Sequence, residues 1–168
     1  MITIYTDGSS RGNPGLGGWG AVVFHDGNNQ NTRDKKQWVT EIGGREERTT
    51  NNKMELRAVI EALKFLTAYF LLPTTITIHT DSKYVMVGIT EWIHNWQKKG
   101  WKTAGKKPVF NQDLWQELLS AVEGKNIEWK YIEGHAGHKL NERADEIATS
   151  FADDIKPVLY DGPEDKYK

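Results

Sequence analysis

The sequence contains no cysteine, which excludes a disulfide framework and any metal site built from thiolates. Its longest apolar run, around residues 65–72, is far shorter than the roughly 18 residues that a membrane-spanning helix needs. The opening MITIYTDGSS has no basic segment followed by an apolar one, so we expect no signal peptide. These absences predict a cytoplasmic protein that does not bind a membrane.

The chain also has little net charge, because 22 Lys and Arg residues balance 23 Asp and Glu residues to give −1. A protein of this charge is no general polycation, so any affinity for nucleic acid requires a local basic patch. One stretch qualifies. Residues 93–111, which we call the basic segment, contain no Asp or Glu and hold five lysines: Lys98, Lys99, Lys102, Lys106 and Lys107.

The spacing of apolar residues predicts a single α/β domain over residues 1–152 of the 168. Alternation predicts strands near 2–7, 19–24, 38–43, 75–81 and 127–133, and spacings of three or four predict helices near 54–70, 82–88, 90–99, 111–122 and 140–152. Three consecutive strands followed by strand–helix units indicate a mixed sheet flanked by helices. We expect a polar connection at 26–36, a helix end at Pro73 and a loose tail at 153–168.

Four acidic residues occupy comparable positions next to predicted strand or helix ends: Asp7, Glu55, Asp81 and Asp145. Taken singly, the two strand-end aspartates fit turn and cap chemistry equally well, and the other two are ordinary acids of early helical turns. If the first and fourth strands are parallel neighbours, however, Asp7 and Asp81 emerge at the same edge of the sheet. Ligands of open α/β sheets bind at such edges.

The combination of four acids indicates a metal site. Carboxylates within a few ångströms repel each other, and one of them takes up a proton unless a cation is present. Oxygen ligands without His or Cys suit Mg²⁺ or Mn²⁺, and Mg²⁺ commonly binds substrate phosphate. Two such ions about 4 Å apart promote phosphodiester hydrolysis by activating water and stabilising the leaving oxygen.

The motifs around these acids resemble the type I ribonuclease H family, above all its bacterial single-domain form. They are YTDGS at 5–9, TNNKMEL at 50–56, TDSKYV at 80–85, GITEWIHNW at 88–96, GWKT at 100–103, GHAGH at 134–138 and NERAD at 141–145. The resemblance implies a ribonuclease H-like fold of five strands, the first three antiparallel, in a monomer. It implies that Asp7, Glu55, Asp81 and Asp145 hold two Mg²⁺ ions. The substrate would be an RNA–DNA hybrid, whose RNA strand is cut to leave 5′-phosphate and 3′-hydroxyl ends.

The resemblance also assigns residues near the RNA strand. A lone loop histidine is ordinarily polar surface, but His135 lies in a glycine-rich loop and an imidazole pKa near 6.5 suits proton transfer. The family implies a mobile residue there that aids proton transfer or product departure. Gly12 and Asn13 form either a plain hairpin loop or, by resemblance, a contact to the RNA strand. Asn52 and Glu55 are placed to recognise the 2′-hydroxyl.

For the DNA strand, the resemblance makes the basic segment a protrusion whose Lys98, Lys99 and Lys102 contact phosphates, with Trp92 against the sugar–phosphate backbone. The plainer alternative is a helix with solvated lysines and inward tryptophans, which we favour for Trp96 and Trp115. Four residues match a pocket for one DNA phosphate: Arg48, Thr50, Asn51 and Asn111. Ser10, Arg11 and Lys83 depart from the residue types common in the family.

Two other functions remain open at this stage. A strand transferase or Holliday-junction nuclease shares the acids, but such enzymes usually have additional DNA-binding domains. A non-catalytic hybrid-binding module would share the fold, although all four acids are present here. A purely structural protein gains nothing from the four acids.

Overall fold

The computed structural model describes residues 1–27, 36–70 and 74–168. Its strands are β1 (Ile2–Ser10), β2 (Gly15–Asp26), β3 (Gln37–Thr49), β4 (Thr75–Thr80), β5 (Asn126–Tyr131) and β6 (Asp161–Pro163). They form one sheet in the order β5-β4-β1-β2-β3-β6. The predicted connection at 26–36 lies mainly in residues 28–35, and the predicted helix end at Pro73 in residues 71–73; both are outside the described residues.

The sheet is mixed, as predicted. β2 is antiparallel to β1 and to β3, whereas β4 is parallel to both β1 and β5. Thr6 of β1 is in register with Thr80 of β4, so Asp7 and Asp81 follow directly at the same edge. The mixed sheet with its first three strands antiparallel, expected from the motifs, is therefore confirmed.

In the part of the chain that the structure describes, five α-helices flank the sheet: α1 (Asn51–Tyr69), α2 (Lys83–Val87), α3 (Ile93–Lys98), α4 (Gln112–Val122) and α5 (Lys139–Ala152). Thr50 caps α1, because its hydroxyl accepts a hydrogen bond from the Lys53 amide at 3.3 Å. A π-helical turn, Gly88–Trp92, joins α2 to α3 without a break. The two separate helices predicted here are thus one helical segment.

The two faces of the sheet bury separate cores. Alternation along β1 directs Ile2 and Ile4 into the larger core, which α1, α2 and α4 complete. Tyr5 points the other way, toward the smaller core that α5 forms with β2 and β3 through Val22, Val39, Ala144 and Ile147. Within the described residues, no helix has both the length and the apolarity that a membrane crossing requires.

Two predictions about extent were wrong. Over residues 1–27, 36–70 and 74–168 the sheet has six strands rather than five, because β6 pairs antiparallel with β3. Residues 153–168, expected as a loose tail, form this strand and a 3₁₀ turn, Glu164–Lys166, and Tyr160 and Tyr167 pack on the smaller core. A three-residue strand such as β6 is too short to show an alternating pattern. β3 also extends six residues beyond the predicted end at 43, and this extension was not predicted because the second half of the strand is polar.

Candidate active site

The four predicted acids meet in one cleft, at the point where the parallel pairing of β1 with β4 ends. Carboxylate oxygens of Asp7, Glu55 and Asp81 lie within 4.8 Å of one another. Asp145 lines the same cleft, together with Asn52, Lys83, Tyr84 and His135. Asp7 is the most deeply placed, with 5% of its surface exposed. The convergence predicted from sequence is therefore present in the fold.

The first turn of α1 lies directly on β1, which brings Glu55 beside Asp7. A side chain at Gly8 would place its Cβ 2.3 Å from the Glu55 amide nitrogen, so only glycine permits this approach. The contact is fixed by Asn51, whose Oδ1 accepts a hydrogen bond from the Ser10 amide at 2.6 Å. The motif glycine after Asp7 is explained by this packing.

Asp81 is held from two sides. Ser82 caps α2 by accepting a hydrogen bond from the Val85 amide at 3.2 Å. From α5, the Asn141 side-chain amide donates to Asp81 Oδ2 at 3.2 Å, and Asn141 is only 2% exposed. We did not predict Asn141 as a site residue. Its place four residues, or about one helical turn, before Asp145 was the available signal.

Burial and crowding disfavour the ionised forms of Asp7 and Glu55. Burial, with the charge of Asp81 adding to it, raises the pKa of Asp7 to about 8. Burial and then the charge of Asp7 raise the pKa of Glu55 well above its ordinary value. Glu55 Oε2 is buried and, among the described residues, finds no hydrogen-bond partner. An all-oxygen donor set with an unsatisfied buried carboxylate oxygen is suited to a hard divalent cation.

The residues predicted to contact the RNA strand lie in or beside the cleft. His135 is exposed in the loop between β5 and α5, with a positive φ of 55°. Asn13 Oδ1 accepts a hydrogen bond from the Asn51 amide at 3.3 Å, and the Gly12 carbonyl accepts one from the Ser10 hydroxyl. The loop that contains Gly12 and Asn13 is therefore attached to the start of α1, next to the acids.

The residues predicted to contact the DNA strand extend from the cleft along α1, α3 and α4. Arg48 is exposed near the end of β3, and Thr50 and Asn51 begin α1. Asn111, at the start of α4, donates a hydrogen bond to the Tyr84 hydroxyl at 3.1 Å and so connects with the cleft. Trp92 lies edge-on to the Tyr84 ring at 5.9 Å and is 38% exposed.

The inward orientation that we favoured for Trp115 and Trp96 is confirmed. Trp115 is fully buried and donates to the Tyr84 hydroxyl at 2.9 Å, and Trp96 is partly buried against the larger core. All five lysines of the basic segment are exposed, and none belongs to an ion pair found in the described ranges. Arg11, a departure from the family pattern, pairs with Asp153 at 2.6 Å.

An acidic cleft with oxygen donors at the ends of parallel strands, beside an exposed basic segment, defines a site for phosphate chemistry on nucleic acid. Comparison with known proteins gives the family. The RNase H family model matches residues 1–153, and the chain belongs to the ribonuclease H family. The resemblance of the sequence motifs is thereby confirmed.

Relatives match over most of their length. Ribonuclease HI of Caulobacter vibrioides is 52% identical over 147 residues, covering 88% of this chain and 89% of the relative. Ribonuclease H of Alcanivorax borkumensis is 50% identical over 155 residues, covering 92% and 93%. Both values far exceed what a shared fold alone produces.

Solved structures agree with the fold. LC9-RNase H1, described as a type 1 RNase H with the type 2 active-site motif, superposes with a TM-score of 0.78 at 33% identity over 95% of this chain and 76% of that one. LC11-RNase H1 in complex with an RNA/DNA hybrid gives a TM-score of 0.61 at 26% identity, over 92% and 98%.

Proposed function

We propose that this chain is an endoribonuclease that hydrolyses the RNA strand of RNA–DNA hybrids. The convergence of Asp7, Glu55, Asp81 and Asp145 on one cleft is the observation that supports it most strongly. Membership in the ribonuclease H family supports the reaction, and the likeness to an RNase H1 bound to an RNA/DNA hybrid supports the substrate.

The four acids are proposed to hold two Mg²⁺ ions, with Mn²⁺ as an alternative. Bound divalent ions supply an activated water molecule and neutralise the charge that develops on the phosphate and the leaving oxygen. Water oxygen forms a new bond to phosphorus, and the bond from phosphorus to the 3′-oxygen breaks. One product ends in a 5′-phosphate and the other in a 3′-hydroxyl.

The chain's own residues orient the RNA and handle the proton. Gly12 and Asn13 are close enough to the start of α1 to contact the same RNA strand as Asn52 and Glu55, where the 2′-hydroxyl distinguishes RNA from DNA. His135 lines the cleft from an exposed loop, from which its imidazole exchanges a proton between the leaving 3′-oxygen and solvent.

The DNA strand is proposed to lie along the remaining polar and basic residues. Arg48, Thr50, Asn51 and Asn111 bind one phosphate, and Trp92 lies against the adjoining sugar. Lys98, Lys99 and Lys102 then contact phosphates further along, which gives affinity without sequence preference.

The test uses a labelled RNA–DNA hybrid beside double-stranded RNA and double-stranded DNA of the same sequence. We expect internal cleavage of RNA in the hybrid alone, in Mg²⁺ or Mn²⁺ and not in EDTA, with product ends identified by phosphatase sensitivity. Equal cleavage of duplex RNA, or activity that persists in EDTA, would contradict the proposal.

A further inference from the structure

Glu41 in β3 is a buried charged residue that the proposed reaction does not use. Its side chain is fully buried and accepts hydrogen bonds from Arg143 Nε at 2.7 Å and Nη2 at 2.8 Å, from the Tyr167 hydroxyl at 2.7 Å and from the Tyr160 amide at 2.9 Å. Burial alone would raise the pKa of Glu41, but these hydrogen bonds hold it below its ordinary value. A buried carboxylate with four such donors is a fixed junction.

The junction ties α5 to residues 158–167, which we call the strap. Arg143 of α5 also donates to the Val158 carbonyl at 3.0 Å, and the Glu41 amide donates to the Tyr160 carbonyl at 2.8 Å. The strap is attached to β3 independently, because Asp161 accepts hydrogen bonds from the Trp38 indole at 2.7 Å and the Thr40 hydroxyl at 2.9 Å. It therefore bridges the helix and the sheet edge.

Part of the surface beneath α5 is made of glycine rather than of larger side chains. Gly18, Gly20 and Gly43 face it, and a Cβ at these positions would lie 2.2, 2.7 and 2.6 Å from atoms of the helix. Glycines bring the helix close, but helix register is normally fixed by side-chain ridges that fit into grooves. Where the surface is glycine, polar contacts such as the Glu41–Arg143 pair add to the apolar contacts with Val22 and Val39 in holding α5.

Arg143 and Asp145 are two residues apart on α5, so they project about 200° apart around the helix axis. Arg143 points to the strap, and Asp145 points to the cleft beside Asp7. Because the helix moves as a unit, any rotation or sliding of α5 that breaks the contact between Arg143 and the strap also displaces the Asp145 carboxylate.

We propose that the strap, acting through Glu41 and Arg143, is a positioning device that fixes α5 and thereby the place of the Asp145 carboxylate in the cleft. The inference deepens the proposed function and rests on it for the activity measurement. Arg143, Tyr167 and Asp161 are positioning residues, since none of them lines the cleft.

The test compares the full chain with the double variant Asp161→Ala/Tyr167→Phe, which loosens the strap but leaves Arg143 to neutralise Glu41. We expect kcat on the hybrid in saturating Mg²⁺ to fall about tenfold and KM to change less than twofold, because a small misplacement of a catalytic group lowers the rate. In metal-free protein without substrate, amide hydrogen exchange should accelerate about tenfold at residues 140–146 and stay unchanged in α1.

Arg143→Lys is the second variant, because it keeps the positive charge but loses the two parallel hydrogen bonds to Glu41. If the double variant does not fold, this variant tests the inference through the same two readouts. Asp153→Ala is the control: it breaks the exposed pair with Arg11 at the other end of α5 and should leave both readouts unchanged. Exchange accelerated equally throughout the protein, or normal kcat with a loosened α5, would overturn the inference. If the unmodified chain does not cut hybrids, the proposed function fails while the exchange measurement still tests the strap.

Discussion

The acidic cleft and the basic segment both concentrate charge of one sign, but they differ in burial. Asp7 is 5% exposed, and its pKa is raised to about 8 by burial and by neighbouring acids. The five lysines of residues 93–111 are all exposed to solvent, where repulsion between like charges is weak. The first arrangement costs folding free energy, whereas the second costs almost none.

The difference indicates separate functions for the two regions. A buried cluster of carboxylates stays ionised only with a counter-ion, so it suits a reaction in which cations and phosphate enter together. An exposed cluster attracts a polyanion at long range and releases it as salt rises. Substitutions in the cleft should therefore change the rate and the stability in opposite directions, and substitutions in the basic segment should change binding alone.

The largest expected effect follows from Asp7→Asn, with Asp81→Asn as a second case. We expect kcat to fall by about three orders of magnitude or more, because a carboxylate that holds the cations is lost. The metal-free protein should nevertheless be more stable to urea at pH 8, since an amide removes a buried charge and can still accept the 2.8 Å hydrogen bond from the Gly8 amide. Kinetics and urea unfolding in EDTA measure the two effects.

Asp113→Asn is the matched control, because Asp113 is an exposed acid in the first turn of α4. It should alter neither the rate nor the stability by a large amount. Suppose instead that Asp7→Asn lowered both activity and stability. The idea that the crowded acids destabilise the metal-free protein and are needed only to bind cations would then be wrong.

The sequence was sufficient to predict the sheet and the acids that meet at its edge. Alternation was strong in β4 and in the first part of β1, and an aspartate follows the last paired residue of each strand, so parallel pairing alone brought Asp7 and Asp81 together. Glu55 was harder, because its depth depends on Gly8 letting α1 lie on β1, a contact that no local pattern reveals. Glu55 was predicted as a metal ligand from the motif resemblance instead.

The strap could not be predicted, because its strength lies in contacts between distant residues. Glu41 pairs with Arg143 across 102 positions and with Tyr167 across 126, and each residue alone has the sequence signature of a solvated side chain. The length of β3 was missed for a related reason. Its polar end, residues 44–49, lies against β2 and begins the approach to α1, which period-two alternation does not report.

A smaller effect is expected in the basic segment. Replacing Lys98, Lys99 and Lys102 together by Ala should weaken binding to the hybrid about tenfold at low salt and reduce the salt dependence. The slope of log K against log salt concentration should fall by about 2 to 3, because each lysine releases about one counter-ion from a phosphate. The chemical step, measured in single turnover at saturating enzyme, should change little.

The control replaces Lys36, Lys156 and Lys168, three exposed lysines outside the basic segment, and so makes the same change in net charge. It should leave the slope nearly unchanged. An equal loss of slope in both triple variants would show that overall charge, rather than the placement of residues 93–111, sets the affinity.

The most gradual effect expected is a pH dependence of stability that belongs to the cleft alone. The pKa of Asp7 is raised from 3.8 to about 8, so between these values the folded protein binds more protons than the unfolded chain. This contribution to stability is complete below pH 4 and is lost as pH rises through 8. Metal-free protein should therefore lose about 1 kcal/mol for each pH unit between pH 5 and pH 8, relative to Asp7→Asn measured in parallel. Mg²⁺ added at pH 8 should restore stability to the unmodified chain and less to the variant, since a cation then replaces the proton.

Parallel pH profiles for the two proteins in EDTA would contradict this prediction. They would mean that the crowding of these carboxylates is relieved in solution, and that the cleft and the basic segment do not differ in the way their burial indicates.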